Sequence, residues 1–226
     1  MVIRPYRASD RAGMHQLAAD TAFFGEPAER FLEDRQLFCD IMFGYYTDYE
    51  PELAWVATGE EQIIGFLVGS RDTAAQQRTL ATRIMPAVLW RLARGRYRTG
   101  PLVGQWLRRL VSSALRQDIT RADLTAYPAH LHIGVDARWQ GQGIGRQLMT
   151  RYFDQLRTIR TPGVPLRTTD HNTAACRLYE RLGMQLLDAR PTRLWTHVLA
   201  APVESRCYGL LLNGREQPAY AGSSSR

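Results

Sequence analysis

Residues 130–149 read HLHIGVDARWQGQGIGRQLM. An apolar run able to form a strand passes into three alternating glycines, Gly141, Gly143 and Gly145. The chain then enters a segment whose apolar positions Ile144, Leu148, Tyr152 and Leu156 recur every four residues, a spacing that predicts an amphipathic helix. Glycines at such a junction let backbone N–H groups approach a ligand without Cβ obstruction, and the first turn of a helix offers unsatisfied donors and a positive dipole end. Strand, glycine turn and helix in this order make an anion site into which a pyrophosphate would fit. Two familiar phosphate loops do not match. GxGxxG counted from Gly141 puts Arg146 in the third glycine's place, and GxxxxGK[ST] requires a lysine where the chain has none.

Outward from this segment the pattern alternates. VIRPYR at the start predicts a short strand, with Ser9 or Asp10 opening a helix. Helical periodicity is expected again from Ala28 to Tyr45, ending by Pro51. LAWVATG from Leu53 and QIIGFLVGS from Gln62, separated by Gly59, Glu60 and Glu61, predict a hairpin. Residues 72–126 change character: two helical stretches divided by Gly100-Pro101 predict an insertion. After the glycine segment a strand is expected at Val164–Thr168, a helix at Asn172–Leu182 closed by Gly183, and strands near Met184–Leu187 and Leu194–Leu199. The expectation is one domain over residues 1–212 and a flexible tail over 213–226.

With 226 residues, 45% hydrophobic and 23% charged, the chain has room for one sizeable core and is neither disordered nor fibrous. No apolar run reaches the ~18 residues of a membrane span, and the first residues lack a secretory h-region, so a cytoplasmic address is expected. Cys39, Cys176 and Cys207 are too scattered for a disulfide framework or a metal site; no metal is expected. All 29 basic residues are arginine. Residues 71–127 hold eleven arginines against three aspartates, whereas residues 26–52 hold eight carboxylates against two arginines. The first stretch, with Trp90, Tyr97 and Trp106 among its arginines, could stack on nucleic acid, but its apolar periodicity favours core packing or a homodimer. The second attracts cations.

Gln140-Gly141-Gln142-Gly143-Ile144-Gly145 resembles the [QR]xxGxG[AG] signature of the GNAT superfamily of N-acetyltransferases, and Asn172, Tyr179 and Gly183 in DHNTAACRLYERLGM resemble that family's downstream arrangement. The words YPAHLHIGV and the arginine-rich insertion are most similar to the acetyltransferase-like C-terminal domain of O-GlcNAcase and its stand-alone bacterial relatives. The resemblance implies an α/β fold with a mixed, mostly antiparallel sheet flanked by helices, and places the helical insertion between strands 3 and 4. It implies acetyl-CoA as cofactor and an N-acetyltransferase activity toward an amine.

Carried onto this sequence, the resemblance implies that backbone groups of Ile133, Gly134 and Val135 bond the pantetheine arm. Gln142, Ile144, Gly145 and Arg146 would donate N–H groups to the pyrophosphate, with Gln140, Gly141 and Gly143 shaping the loop. Arg138 and Arg146 are candidates for the 3′-phosphate. Asn172, an N-cap by position, would also touch the cofactor arm, and Tyr179, two turns on, would protonate the departing thiolate. An amine with a pKa near ~10 must lose a proton before it attacks; Glu50, His132 and Asp136 are the candidate bases. The acidic segment lies where this family builds its acceptor site, which implies a cationic amine acceptor, small molecule or peptide. The alternative is a catalytically silent module that binds acetyl-CoA or a protein partner.

Overall fold

Alternating apolar residues build two sheets. In the computed structural model, which describes residues 1–22, 25–60, 62–116, 120–194 and 203–214, the first sheet is β1 (Val2–Pro5), β2 (Trp55–Gly59), β3 (Gln62–Ser70) and β4 (His130–Val135), in that spatial order. Every neighbouring pair is antiparallel. The second sheet has the order β5 (Gly163–Thr169), β7 (Val203–Leu211), β6 (Gln185–Thr192), again antiparallel throughout. The helices are α1 (Arg11–Asp20), α2 (Arg35–Met42), α3 (Gly44–Asp48), α4 (Thr73–Thr79), α5 (Met85–Ala93), α6 (Pro101–Arg116), α7 (Ile144–Thr158) and α8 (Thr173–Arg181). A π-helical turn, Leu80–Ile84, joins α4 to α5.

Side chains of β4 divide by parity, as the pleat requires. Leu131, Ile133 and Val135 join a core with Ile144, Leu148, Tyr152 and Leu156 of α7 and Cys176 and Tyr179 of α8. His130 and His132 face the other way, their rings against Tyr46 of α3, with Phe43 also on His132. On that side a second core holds Met14, Leu17, Phe38, Phe43 and Tyr46, extended by Ile84, Val88 and Tyr97 of the insertion.

The insertion between β3 and β4 is helical, as expected, and residues 33–40 hold it in place. Glu33 accepts from the N–H groups of Leu102 and Val103 at the start of α6, 2.6 and 3.2 Å, where a carboxylate meets the helix dipole favourably. Asp34 caps α2 through Leu37 N and accepts from Arg98 N. Asp40 accepts from Arg91, Tyr97 and Gln36, 2.7, 2.6 and 2.7 Å. Tyr97 is thereby buried and unavailable for stacking, while Trp90 is exposed with Arg94 lying over its ring at 4.1 Å.

Two expectations are corrected. The helix over 28–45 is interrupted, because the Asp34 side chain caps a fresh start at Arg35, leaving a short 3-10 turn at Ala28–Arg30 upstream. The strand expected near Leu194–Leu199 lies, apart from Leu194 in a turn, outside the described residues, and a strand not expected from the sequence, β7, occupies Val203–Leu211. The acidic segment is not a free negative surface. Its remaining carboxylates pair with arginine as well: Glu26 with Arg30, Glu29 with Arg35, Asp48 with Arg11, and Glu50 and Glu52 with Arg71. The expected tail falls largely on 215–226, outside the described residues. Among the described residues the three cysteines are free and buried, no helix is long and apolar enough to cross a membrane, and no His, Cys, Asp and Glu cluster could hold a metal ion.

Candidate functional site

The two sheets meet at one point. Ala129 N donates to Gly163 O at 3.4 Å, and no ladder joins β4 to β5 beyond it among the described residues. Asp136 N donates to Ile64 O, which sets the phase of the β3–β4 ladder: residues 130, 132, 134 and 136 exchange bonds with β3, and alternation turns the backbone groups of Leu131, Ile133 and Val135 toward the split. Ile133 and the N–H of Val135 thus present the unpaired edge of a strand, the surface an extended ligand can join as an added strand. Gly134 does not. Its backbone belongs to the pairing with Phe66, and its missing Cβ answers a different need, since one there would stand 2.5 Å from the Phe66 ring and 3.1 Å from Thr21 Oγ1.

At the open end of the split, Gly141 and Gly143 adopt φ of 77° and 78°, and a Cβ at either would meet nothing within 4 Å. The left-handed backbone costs a non-glycine residue roughly 1–2 kcal/mol, so glycine is required by conformation while the space above it stays clear. Gly143 is the N-cap of α7, and the N–H groups of Ile144, Gly145 and Arg146 in the first turn have no intrahelical acceptor. Gly145 brings α7 against α8, its Cβ position lying 3.2 Å from Leu178, and Ile144 is buried over Gly65 of β3. Gln142 is exposed in the loop. Gln140 folds back, its amide donating to Val135 O at 3.2 Å, and so closes the turn. Arg146 is exposed, and so is Arg138, which also pairs with Asp136 at 2.7 Å. A cavity of about 310 Å³ borders this loop through Gln142 but lies at the tip of the β2–β3 hairpin, outside the split.

Asn172 caps α8, accepting from Ala175 N at 3.3 Å. Tyr179 is buried with its ring edge-on to Tyr208 of β7, centroids 5.7 Å apart; Tyr208 in turn donates to Glu180. Burial pushes the Tyr179 phenol above its ordinary range, and its hydroxyl makes no hydrogen bond among the described residues. It stays protonated at neutral pH, which is what a proton donor needs.

The three base candidates are not brought together. Asp136 is engaged: both oxygens bond the Arg138 side chain and one also caps the following turn, and these bonds lower its pKa and make it a weaker base. His132 is half-buried among Phe43, Tyr46 and His130, and desolvation, with repulsion from Arg167 second, lowers it to about 4. Its ring is neutral at pH 7. His130 is engaged at both nitrogens, with Tyr46 Oη at 2.6 Å from Nε2 and Thr73 Oγ1 at 2.9 Å from Nδ1. Because Thr73 donates to Pro128 O at 2.7 Å, the network assigns the imidazole proton to Nδ1 and makes Tyr46 the donor to Nε2. Glu50 is buried; Oε1 accepts from Arg71 Nε at 3.0 Å, and Oε2 has no partner. A buried carboxylate oxygen without a donor is costly and marks a place where a ligand's N–H would be welcome.

Residues 115–184 match the acetyltransferase (GNAT) family model, a span running from the end of α6 to the close of α8. The solved structure of SsHAT superposes with a TM-score of 0.68 at 28% identity, over 93% of this chain and 98% of that one. The chain has the GNAT fold. Over 70 residues it is 41% identical to mycothiol acetyltransferase of Nocardiopsis dassonvillei, which covers 31% of this chain. The chain spans about a fifth of the length of the curated relatives it matches, 19% here and 18% for the Thermobifida fusca enzyme of the same name. The yncA protein of Salmonella typhimurium, solved with its cofactor acetyl-CoA, has a TM-score of 0.58 at 14% identity over 96% of this chain and 97% of that one. GNAT acetyltransferases use acetyl-CoA. The split and glycine loop of this chain fit that cofactor, offering an open strand edge for an extended arm and clear donors for a pyrophosphate.

Proposed function

We propose that this protein is an acetyl-CoA-dependent N-acetyltransferase that moves the acetyl group directly to the amine of a small molecule or peptide. The observation that carries this reading is the split itself: the strand edge offered by the backbone of Ile133 and the N–H of Val135 leads to the left-handed Gly141 and Gly143 at the head of α7. When bound, acetyl-CoA supplies an activated thioester. The chain's own groups would do the rest. An N–H turned to the split near Val135 would polarise the acetyl carbonyl. Glu50, through its free Oε2, would hold the acceptor's ammonium and take its proton, directly or through water, with the neutral ring of His132 as the second base candidate. As the C–N bond forms and the C–S bond breaks, Tyr179 would give its phenolic proton to the departing thiolate.

The expectation of a cationic acceptor now narrows to the ammonium that Glu50 would receive, since the other acidic residues of 26–52 are engaged within the fold. Kinship to the O-GlcNAcase C-terminal domain rests on the YPAHLHIGV words and the insertion. The silent-module reading draws on the ion pairs of Glu50 and Asp136.

The test is calorimetric titration with acetyl-CoA of the wild type and of Gly143→Glu, whose carboxylate would enter the space for the pyrophosphate. Gly95→Glu, equally strained at φ 65° and equally open but in the insertion, controls for backbone strain. Micromolar binding lost in the first variant and kept in the second supports the reading; no binding by the wild type overturns it. Binding without turnover of any amine would establish the silent module.

A further inference from the structure

Arg167 lies at the level of the split on β5, paired across the sheet with Cys207. Val164 and Leu166 of the same strand enter the core beneath α7, so alternation turns Arg167 to the opposite face, the one that carries His130 and His132 on β4. Arg167 is exposed and forms no ion pair or hydrogen bond among the described residues. An unpaired arginine on an outer surface is ordinary; this one stands over a buried wall. Its charge is felt by His130, His132, Tyr46 and Cys207, and it is the one ionic group that bears on His132. The Tyr46 phenol lies within reach of two charges of opposite sign, Glu50 and Arg167. The acceptor face therefore has two poles, a carboxylate with a free oxygen at the α3–β2 junction and a free guanidinium on β5, separated by neutral aromatic and imidazole rings.

We propose that Arg167 binds an anionic group of the acceptor, so that the substrate is an amine that also carries a carboxylate or a phosphate. The inference rests on the acetyltransferase reading and names its substrate class. A guanidinium presents a planar fork that matches either anion with two parallel N–H donors. Two poles also orient the acceptor, because a zwitterion bound in reverse would place ammonium on Arg167 and anion on Glu50.

Paired acceptors test this: amino acids and dipeptides against their C-terminal amides, and phosphoethanolamine against ethanolamine, with free thiol release as the readout and acetyl-CoA Kd measured alongside. The wild type is expected to use the anionic member of at least one pair with a kcat/KM about tenfold or more above its neutral partner. Arg167→Gln should bring that pair to parity by raising KM for the anionic member, while kcat with the neutral amine and acetyl-CoA Kd stay within about twofold. Arg167→Lys should restore part of the preference. The pair that responds tells carboxylate from phosphate. Equal use of both members by the wild type refutes the inference, as does a preference that survives Arg167→Gln. Loss of acetyl-CoA affinity in Arg167→Gln reassigns the residue to the cofactor and refutes it too. If acetyl-CoA binds but no anionic amine is acetylated, the substrate class is wrong and the cofactor site stands; if acetyl-CoA does not bind, the underlying reading fails first.

Discussion

Replacing Asp40 by alanine separates the two roles that the acidic segment could have. The carboxylate is 6% exposed and receives three donors: the buried Tyr97 hydroxyl, the half-exposed Arg91 guanidinium and the Gln36 amide. Removing it strands the Tyr97 O–H in the core, which costs about 1–3 kcal/mol. The Arg91 pair adds about 0.5–1 kcal/mol, kept small because its guanidinium reaches solvent. The sum is about 3 kcal/mol, and for a chain of this size each kcal/mol moves Tm by about 2–4 °C, so a fall of roughly 6–12 °C is expected. In a Tyr97→Phe background the stranded hydroxyl is gone, and the same substitution should cost about a third as much or less, which a double-mutant cycle read by thermal melting would show. Acetyl-CoA Kd should not change. A Tm shift below about 2 °C in Asp40→Ala, or a rise in acceptor KM with Tm unaltered, would refute the claim that these carboxylates anchor the insertion and do not recruit substrate.

Tyr179→Phe should retain acetyl-CoA affinity within about twofold and lose about a hundredfold or more in kcat, the usual worth of a positioned general acid; full turnover would remove Tyr179 from the reaction. Acid should destabilise the fold through the half-buried imidazoles of β4. Burial holds His130 at about 3 and His132 at about 4, against an ordinary 6.5. The unfolded chain therefore binds more protons below pH 6.5, and stability falls from there toward pH 4 while gaining nothing above it. Each histidine contributes about 1.4 kcal/mol per pH unit within that window. Urea midpoints measured across it should show a shallower slope in His132→Phe; an identical slope would mean that His132 is protonated in the native state.

Much of the site was legible because its signals are local. The glycines, the α7 periodicity and the Asn172 cap each act within one turn of chain, and the structure puts each where its chemistry predicts. What the sequence hid depends on partners far along the chain. Asp40 reads as a free negative charge until Arg91 and Tyr97 fold onto it, and Asp136 reads as a base until Arg138 bends back to take both oxygens. Gly134 looked like part of the cofactor strand's bonding edge, but ladder phase, set by Asp136 and Ile64, assigns its backbone to β3. Arg167 carried no signal at all, since PLRTT is an ordinary strand and its facing follows only from which of its neighbours enter the core. Strand β7 is hidden for a similar reason: VESRCYGLL mixes Glu204 and Arg206, which pair with each other at 2.7 Å, with inward residues, so it reads as polar.

The strand order β5-β7-β6 has a consequence for biosynthesis. A ribosome delivers β1 to β4 and α7 well before β7, so the first sheet can close on its helices while β5 and β6 still lack the strand that lies between them. Until Val203–Leu211 arrives, each of these strands exposes a bare edge open to mispairing, and Tyr179 lacks the Tyr208 ring it rests on. The second wall of the split is therefore completed only once β7 has been made and takes its place between β5 and β6.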